Sequence, residues 1–296
     1  MEYTLKRGAL AARVTTAGGE LISLRDGGGT EYIWQGDPAS WTGRNPILFP
    51  IVGALINETV RFGGREYHMK QHGFARRSEF TLEEQGEDYA VLGLRESEAT
   101  LAQYPFPFHF RVRHQLTEEG FATSFMVENT GDGPMPFCVG AHTAFRCPLD
   151  PGETFEDYQL VFDREGTADT LLLDERGHYT GRRERWIEES GTLRLQHRMF
   201  DLLDTLVFEG LRSTGVRLVH PGTGRGVYVQ FEGFPMIAFW TKPEAGAPYL
   251  CIEPWHGCGA YVDESGEFTG KPHVITLAPG EERTLTYTVS LLSPHK

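Results

Sequence analysis

Polar and apolar residues alternate with a period of two in several stretches of this chain, and that pattern commits it to β-structure. Across residues 108–116, Phe108, Phe110, Val112, His114 and Leu116 alternate with His109, Arg111, Arg113 and Gln115. Successive side chains on a strand point to opposite faces, so the stretch reads as a strand with two distinct faces. Glu118-Glu119-Gly120 supplies a turn, and residues 121–127 read as the partner strand. The same hairpin grammar recurs at residues 215–219 and 227–231, around Pro221-Gly222-Thr223-Gly224-Arg225-Gly226. Residues 282–292 alternate through Leu285, Tyr287, Val289 and Leu291 after an Ala278-Pro279-Gly280 turn. Helical signals are few: residues 97–104 predict a short helix stopped by Pro105. The polar stretch 163–191 reads as loops and hairpin tips. The 17 prolines and 35 glycines punctuate short elements along the whole length and gather into no linker, so residues 1–296 read as a single domain. The expectation is one large antiparallel β-structure, either a sandwich or an open barrel.

Composition narrows the partners. A hydrophobic content of 40% with 23% charged residues fits a folded soluble chain and excludes a disordered one. No stretch of about 20 apolar residues offers a membrane span, and the N-terminus lacks the basic-then-apolar order of a secretory signal. Cys138, Cys147, Cys251 and Cys258 form no CxxC pair, so reduced thiols in a cytoplasm are the simplest reading. A formal net charge of -13 argues against nucleic acid and against anionic membrane surfaces. A small-molecule ligand remains, bound by a monomer or a homodimer.

Three segments set ionisable side chains among glycines, prolines and aromatics, as sites on strand ends and loops do. They are Gln71-His72-Gly73-Phe74-Ala75-Arg76, Gly140-Ala141-His142-Thr143-Ala144-Phe145 and Cys251-Ile252-Glu253-Pro254-Trp255-His256-Gly257. In the first, Gly73 lets the backbone turn or a ligand approach closely after a strand at residues 67–70; His72 reads equally as a strand-end cap. In the second, small neighbours leave room around the His142 ring, which also reads as a core histidine. In the third, Glu253 continues an apolar run, and a carboxylate there is costly unless paired or functional. Partial burial raises a carboxyl toward the range of a general base. Trp255 beside it offers a flat face for stacking on a sugar ring or for core packing. Two imidazoles and a carboxylate move protons both ways near neutral pH without a cofactor. His68 and His72 have H-x3-H spacing, but in a strand and loop context that gives a metal little support. Of Arg44, Arg76 and Arg77, only Arg76 adjoins the His72 segment and suits an anionic group such as a phosphate.

These segments, together with Asn45-Pro46-Ile47-Leu48-Phe49-Pro50-Ile51-Val52-Gly53, resemble in order the aldose 1-epimerase (galactose mutarotase) family. The likeness is closer to its LacX-like and hexose-6-phosphate epimerase branches and runs from about residue 40 to the C-terminus. The resemblance implies an all-β fold, a large antiparallel β-sandwich of galactose mutarotase type (a supersandwich), and a site with no cofactor and no metal. By position, His72 and His142 match the family histidines on the ring-oxygen side, and Glu253 matches the catalytic base. Arg76 matches an arginine of the phosphate-sugar branch. The arginine and aspartate that grip the sugar in galactose-type members have no direct counterpart, and Asp204, in Leu202-Leu203-Asp204-Thr205, stands in for the aspartate. The implied activity is interconversion of the α and β anomers of a hexose or related aldose by acid–base ring opening. Two rivals stand beside it: a non-catalytic carbohydrate-binding or sensor protein on the same scaffold, and a metal-dependent β-barrel oxygenase or isomerase using His68, His72 and a carboxylate.

Overall fold

Each alternating stretch falls on a strand of the computed structural model, which describes residues 1–293. Phe108–Leu116 pairs antiparallel with Gly120–Asn129, and Glu282–Leu292 lies on the far side of the latter. Gly215–Val219 and Gly226–Gln230 form the second hairpin, which joins the same nine-stranded sheet through Glu282–Leu292. Burial follows the alternation: in Phe108–Leu116 the even-numbered side chains are buried and Arg111, Arg113 and Gln115 are half-exposed.

An eight-stranded sheet forms the second layer. The two sheets are separate ladders that meet through their side chains, which makes the architecture a sandwich and not a barrel. Phe162, at the end of Gln159–Phe162 in the first sheet, packs edge-on against Phe208 and Phe239 of the second, at 6.3 and 5.9 Å between ring centres. The Thr143 hydroxyl of the eight-stranded sheet meets the Tyr287 hydroxyl of the nine-stranded one at 3.0 Å. The fold is thus the large antiparallel β-sandwich expected. Among the described residues no helix is long and apolar enough to cross a membrane.

Two local readings are corrected. Residues 163–191 are not mainly loop, since Ala168–Leu173 and Tyr179–Ile187 pair as a hairpin. Tyr179–Ile187 is the edge strand of the eight-stranded sheet and exposes residues 181–185, so no buried face imposes an alternation. Its outward arginines pair instead with carboxylates, Arg183 with Glu209 and Arg185 with Asp169. The helix expected over 97–104 is shorter, Glu98–Leu101, capped by the Ser97 hydroxyl accepting from the Thr100 N–H. A second helix, His197–Leu203, has no clear sequence signal and ends at Asp204, whose φ is +59°.

Phe49 ties the aromatic core to what lies above it. Its ring is fully buried and stacks on Phe110 at 4.4 Å, with Phe74, Tyr104 and Phe108 edge-on around it. Its carbonyl accepts from the N–H groups of both Phe74 and Ala75. Only a glycine permits that approach, because a Cβ on Gly73 would sit 2.2 Å from the Phe49 oxygen. Truncating such a ring costs about 3–5 kcal/mol, and here the cost falls on the turn that carries His72.

Candidate active site

The strand Tyr249–His256 runs through the interior of the eight-stranded sheet, between Met236–Trp240 on one side and Val139–Ala141 with Thr143–Arg146 on the other. Gly140 pairs with Trp255 and Thr143 with Ile252 in one continuous register, which sets His142 opposite Glu253. The ladder is interrupted there, beside Pro254, which has no amide hydrogen to give. Residues directly opposite share a face, so the imidazole and the carboxyl meet, His142 Nε2 to Glu253 Oε1 at 3.3 Å. Small partners clear the space around them, Gly140 against Trp255 and Ala238 against Glu253. A Cβ on Gly140 would lie 2.7 Å from the Trp255 ring.

Below the pair a buried network holds the strand. The Thr143 hydroxyl donates to Asn45 Oδ1 at 2.8 Å, and the Asn45 N–H donates to Glu20 at 3.1 Å. The sequence Asn45-Pro46 therefore acts by anchoring the residue after His142.

His72 arrives from another direction. Its backbone takes a left-handed φ of +64°, and it exchanges contacts with Gly53: its N–H donates to the Gly53 carbonyl at 3.0 Å, and its Nδ1 accepts from the Gly53 N–H at 3.1 Å. An Nδ1 that accepts leaves the proton of the neutral ring on Nε2. His72 thus presents a donor. Its ring stands edge-on to His142 at 5.7 Å.

All six side chains singled out in the sequence, His72, Arg76, His142, Asp204, Glu253 and Trp255, line one cavity of about 310 Å³. That is the size class of a small-ligand site. Arg76, on the short 3-10 turn Ala75–Arg77, makes no side-chain hydrogen bond or ion pair among the described residues. Asp204 is exposed at the rim, with one carboxylate oxygen accepting from the Thr205 hydroxyl at 2.7 Å. Trp255 is only 4% exposed, so its ring is chiefly a wall; its indole N–H has no hydrogen-bond partner. His68 lies outside the cavity on an exposed strand, against the Thr59 hydroxyl at 3.3 Å, so the H-x3-H pair does not converge. Arg44 and Arg77 bond to backbone carbonyls, Arg44 to Gln35 and Arg77 to Gly73.

The cavity also uses residues that the sequence reading left out. Trp41 and Trp240 are half-buried and flank His142, with ring centres at 5.1 and 5.6 Å, and they supply the apolar faces that Trp255 mostly hides. Gln71 and Tyr179 complete the wall. The signal for Trp41 was an aromatic alone in the polar loop Asp37-Pro38-Ala39-Ser40-Trp41-Thr42-Gly43.

Burial dominates the electrostatics. Glu253 is 1% exposed, and burial pushes its carboxyl well above the usual carboxylate range. The neighbouring Trp255 indole N–H, short of hydrogen-bond geometry, and the Arg76 charge oppose that rise, while Asp204 adds to it. Burial, then the Arg76 guanidinium, brings the His142 imidazole down to about 3. His72 is held well below its ordinary value by burial, then by His142, Arg76 and Arg77. Burial therefore favours the neutral forms of both Glu253 and His142, in which the pair carries no net charge. Glu253 Oε2 and His142 Nδ1 are buried without partners, ready to meet polar groups of a ligand.

A family model described as aldose 1-epimerase matches residues 1–290. The chain is 33% identical over 306 aligned positions to the plasmid-borne protein LacX of Lactococcus lactis subsp. lactis, covering 99% of this chain and all of that one. A galactose mutarotase related enzyme from Lactobacillus acidophilus superposes with a TM-score of 0.93 at 30% identity, over 98% of this chain and 97% of that one. A galactose mutarotase-like protein from Lactobacillus casei gives 0.92 at 26% identity, over 98% and 100%.

Proposed function

The chain belongs to the aldose 1-epimerase family, and from that premise we propose that it interconverts the α and β anomers of a hexose or related aldose without a cofactor. The observation that carries the reading is the buried contact of 3.3 Å between His142 Nε2 and Glu253 Oε1 at the wall of a sugar-sized cavity. In the reactive state Glu253 is the carboxylate and His142 the imidazolium. Glu253 takes the proton from O1 as His142 delivers one to O5, the C1–O5 bond breaks, and C1 becomes an aldehyde. Rotation about C1–C2 turns the other carbonyl face toward O5. The reverse transfers then close the ring.

Ring opening converts the charged pair into a neutral acid and a neutral imidazole, the distribution that burial favours. The net charge of the site stays constant throughout, so no ion is stranded in the dry cavity. His72 Nε2–H supplies a fixed donor for the ring oxygen or an adjacent hydroxyl. Arg76, free of protein partners among the described residues, suits an anionic or hydroxyl-rich end of the sugar, and Asp204 a hydroxyl at the rim. A protein that only bound sugar would have no use for a shared proton in its wall. The test is anomer exchange by NMR saturation transfer over a panel of free and phosphorylated aldoses. Acceleration with at least one sugar is expected; binding without acceleration would refute the enzyme reading and leave the binding one.

A further inference from the structure

Cys251 has no part in the acid–base chemistry, yet it stands on the same strand face as Glu253, two residues before it. Opposite it is Ala144, too small to separate it from His142. As a result the ligand atoms of His142, Cys251 and Glu253 all lie within 4.8 Å of one another. Tetrahedral zinc, with bonds of about 2.0–2.3 Å to nitrogen, oxygen and sulfur, needs ligand separations of roughly 3.3–3.6 Å. The His142–Glu253 edge is already 3.3 Å, and the others, within 4.8 Å, must contract by up to roughly 1.2–1.5 Å.

A second feature points to a ligand at this place. Glu253 is 1% exposed, and its Oε2 is buried without a partner beside the His142 Nε2 contact. Cys251 is fully buried and does not line the cavity, whereas His142 and Glu253 do, so an ion would reach the thiolate past the catalytic pair. Cys138, Cys147 and Cys258 are buried too, but no such set gathers about them among the described residues.

We propose that His142, Cys251 and Glu253 form a binding site for a thiophilic divalent cation of the Zn2+ type, and that the ion blocks the sugar reaction by occupying the proton-carrying pair. A thiolate, an imidazole and a carboxylate select such ions over Mg2+ and Ca2+. Binding releases two protons to solvent, one from the Cys251 thiol and one from the His142–Glu253 pair. His142 Nδ1 has no carbonyl or carboxylate behind it, and such outer partners are worth about 10–100-fold in affinity. The site therefore binds reversibly and yields to a chelator, unlike a structural zinc. The blocking clause rests on the proposed function; the binding clause does not.

The test titrates the full chain, stripped with chelator, with Zn2+ and with Co2+. Expected are one ion per chain, a thiolate-to-cobalt charge-transfer band in the near ultraviolet, and inhibition of anomer exchange reversed by EDTA. Cys251→Ala should keep its metal-free exchange rate, lose the band and need at least about tenfold more Zn2+ for the same inhibition. Cys251→Ser, closer in volume, should behave alike. A wild-type titration without the band, or equal zinc sensitivity in wild type and both variants, overturns the proposal. If no sugar is turned over, stoichiometry and band still decide the metal site, and the proposed function fails separately.

Discussion

Replacing Glu253 with Gln removes one proton and one negative charge from the wall while keeping the shape of the side chain. The carboxyl is 1% exposed, and its one ion-pair contact is to His142 at 3.3 Å. The other acid of the cavity, Asp204, sits exposed at the rim and is bonded to Thr205, so no second carboxylate stands ready to replace it. A positioned acid or base contributes on the order of 10²–10⁴-fold, which is about 2.7–5.4 kcal/mol at 1.36 kcal/mol per decade. The exchange rate of Glu253→Gln, corrected for spontaneous mutarotation, should fall within that range. Because the two groups share one proton, Glu253→Gln combined with His142→Gln should be scarcely slower than the worse single variant. The thermal midpoint should stay within about 4 °C of wild type, equivalent to about 1 kcal/mol at this size, since no formed ion pair at neutral charge is lost. A Glu253→Gln rate within about tenfold of wild type would refute the assignment of the base. Multiplying losses in the double variant would refute the shared proton.

The pair also sets a pH profile: with Glu253 shifted up and His142 down to about 3, a second proton enters only far below 6.5. A plot of kcat/KM against pH should show no acid limb at 6.5, the ordinary imidazole value, and such a limb would contradict the burial argument. His114, buried between Thr123 and the Gly19 carbonyl, is brought down by burial from 6.5 to about 4. The unfolded chain then binds the extra proton first, so stability is full above about 6.5 and falls by up to about 3 kcal/mol as pH drops toward 4. Urea midpoints of His114→Asn should show a shallower acid slope than wild type, and an unchanged slope would disprove this role. Arg76→Ala should raise KM by about 10–100-fold, the weight of one charge-assisted hydrogen bond of about 1.5–3 kcal/mol, with kcat nearly kept. Saturation kinetics showing the reverse split would move Arg76 into the chemistry.

The strands over 108–116, 215–219 and 282–292 were legible because each buries one face, and burial writes period two into a sequence. Tyr179–Ile187 was not, since an edge strand exposed along its middle answers to solvent and ion pairs instead. His197–Leu203 was hidden for a different reason: seven residues make too short a window for a helical period, and only Met199 and Phe200 are buried. In the site, His72, His142 and Glu253 stood out because glycines and prolines surround ionisable groups. Their convergence was not readable, because it depends on a register between strands more than 100 residues apart in sequence. Trp240 escaped because an aromatic's exposure is decided by what packs over it, which no local pattern records, and Trp41, though marked by its polar loop, gave no sign of which cavity it would face.

The interruption of the ladder beside Pro254 separates two kinds of inheritance. The spacing of proton donor and acceptor is a property of the sheet, guarded by hydrogen-bonded neighbours on both flanks of Tyr249–His256. The groups that would grip the rest of a sugar hang from a 3-10 turn at Arg76, a helix end at Asp204 and a loop at Trp41. Drift in those appendages changes which molecule is held without moving the proton's path. On the proposed function, substrate choice and proton transfer are thus held by separate parts of the fold.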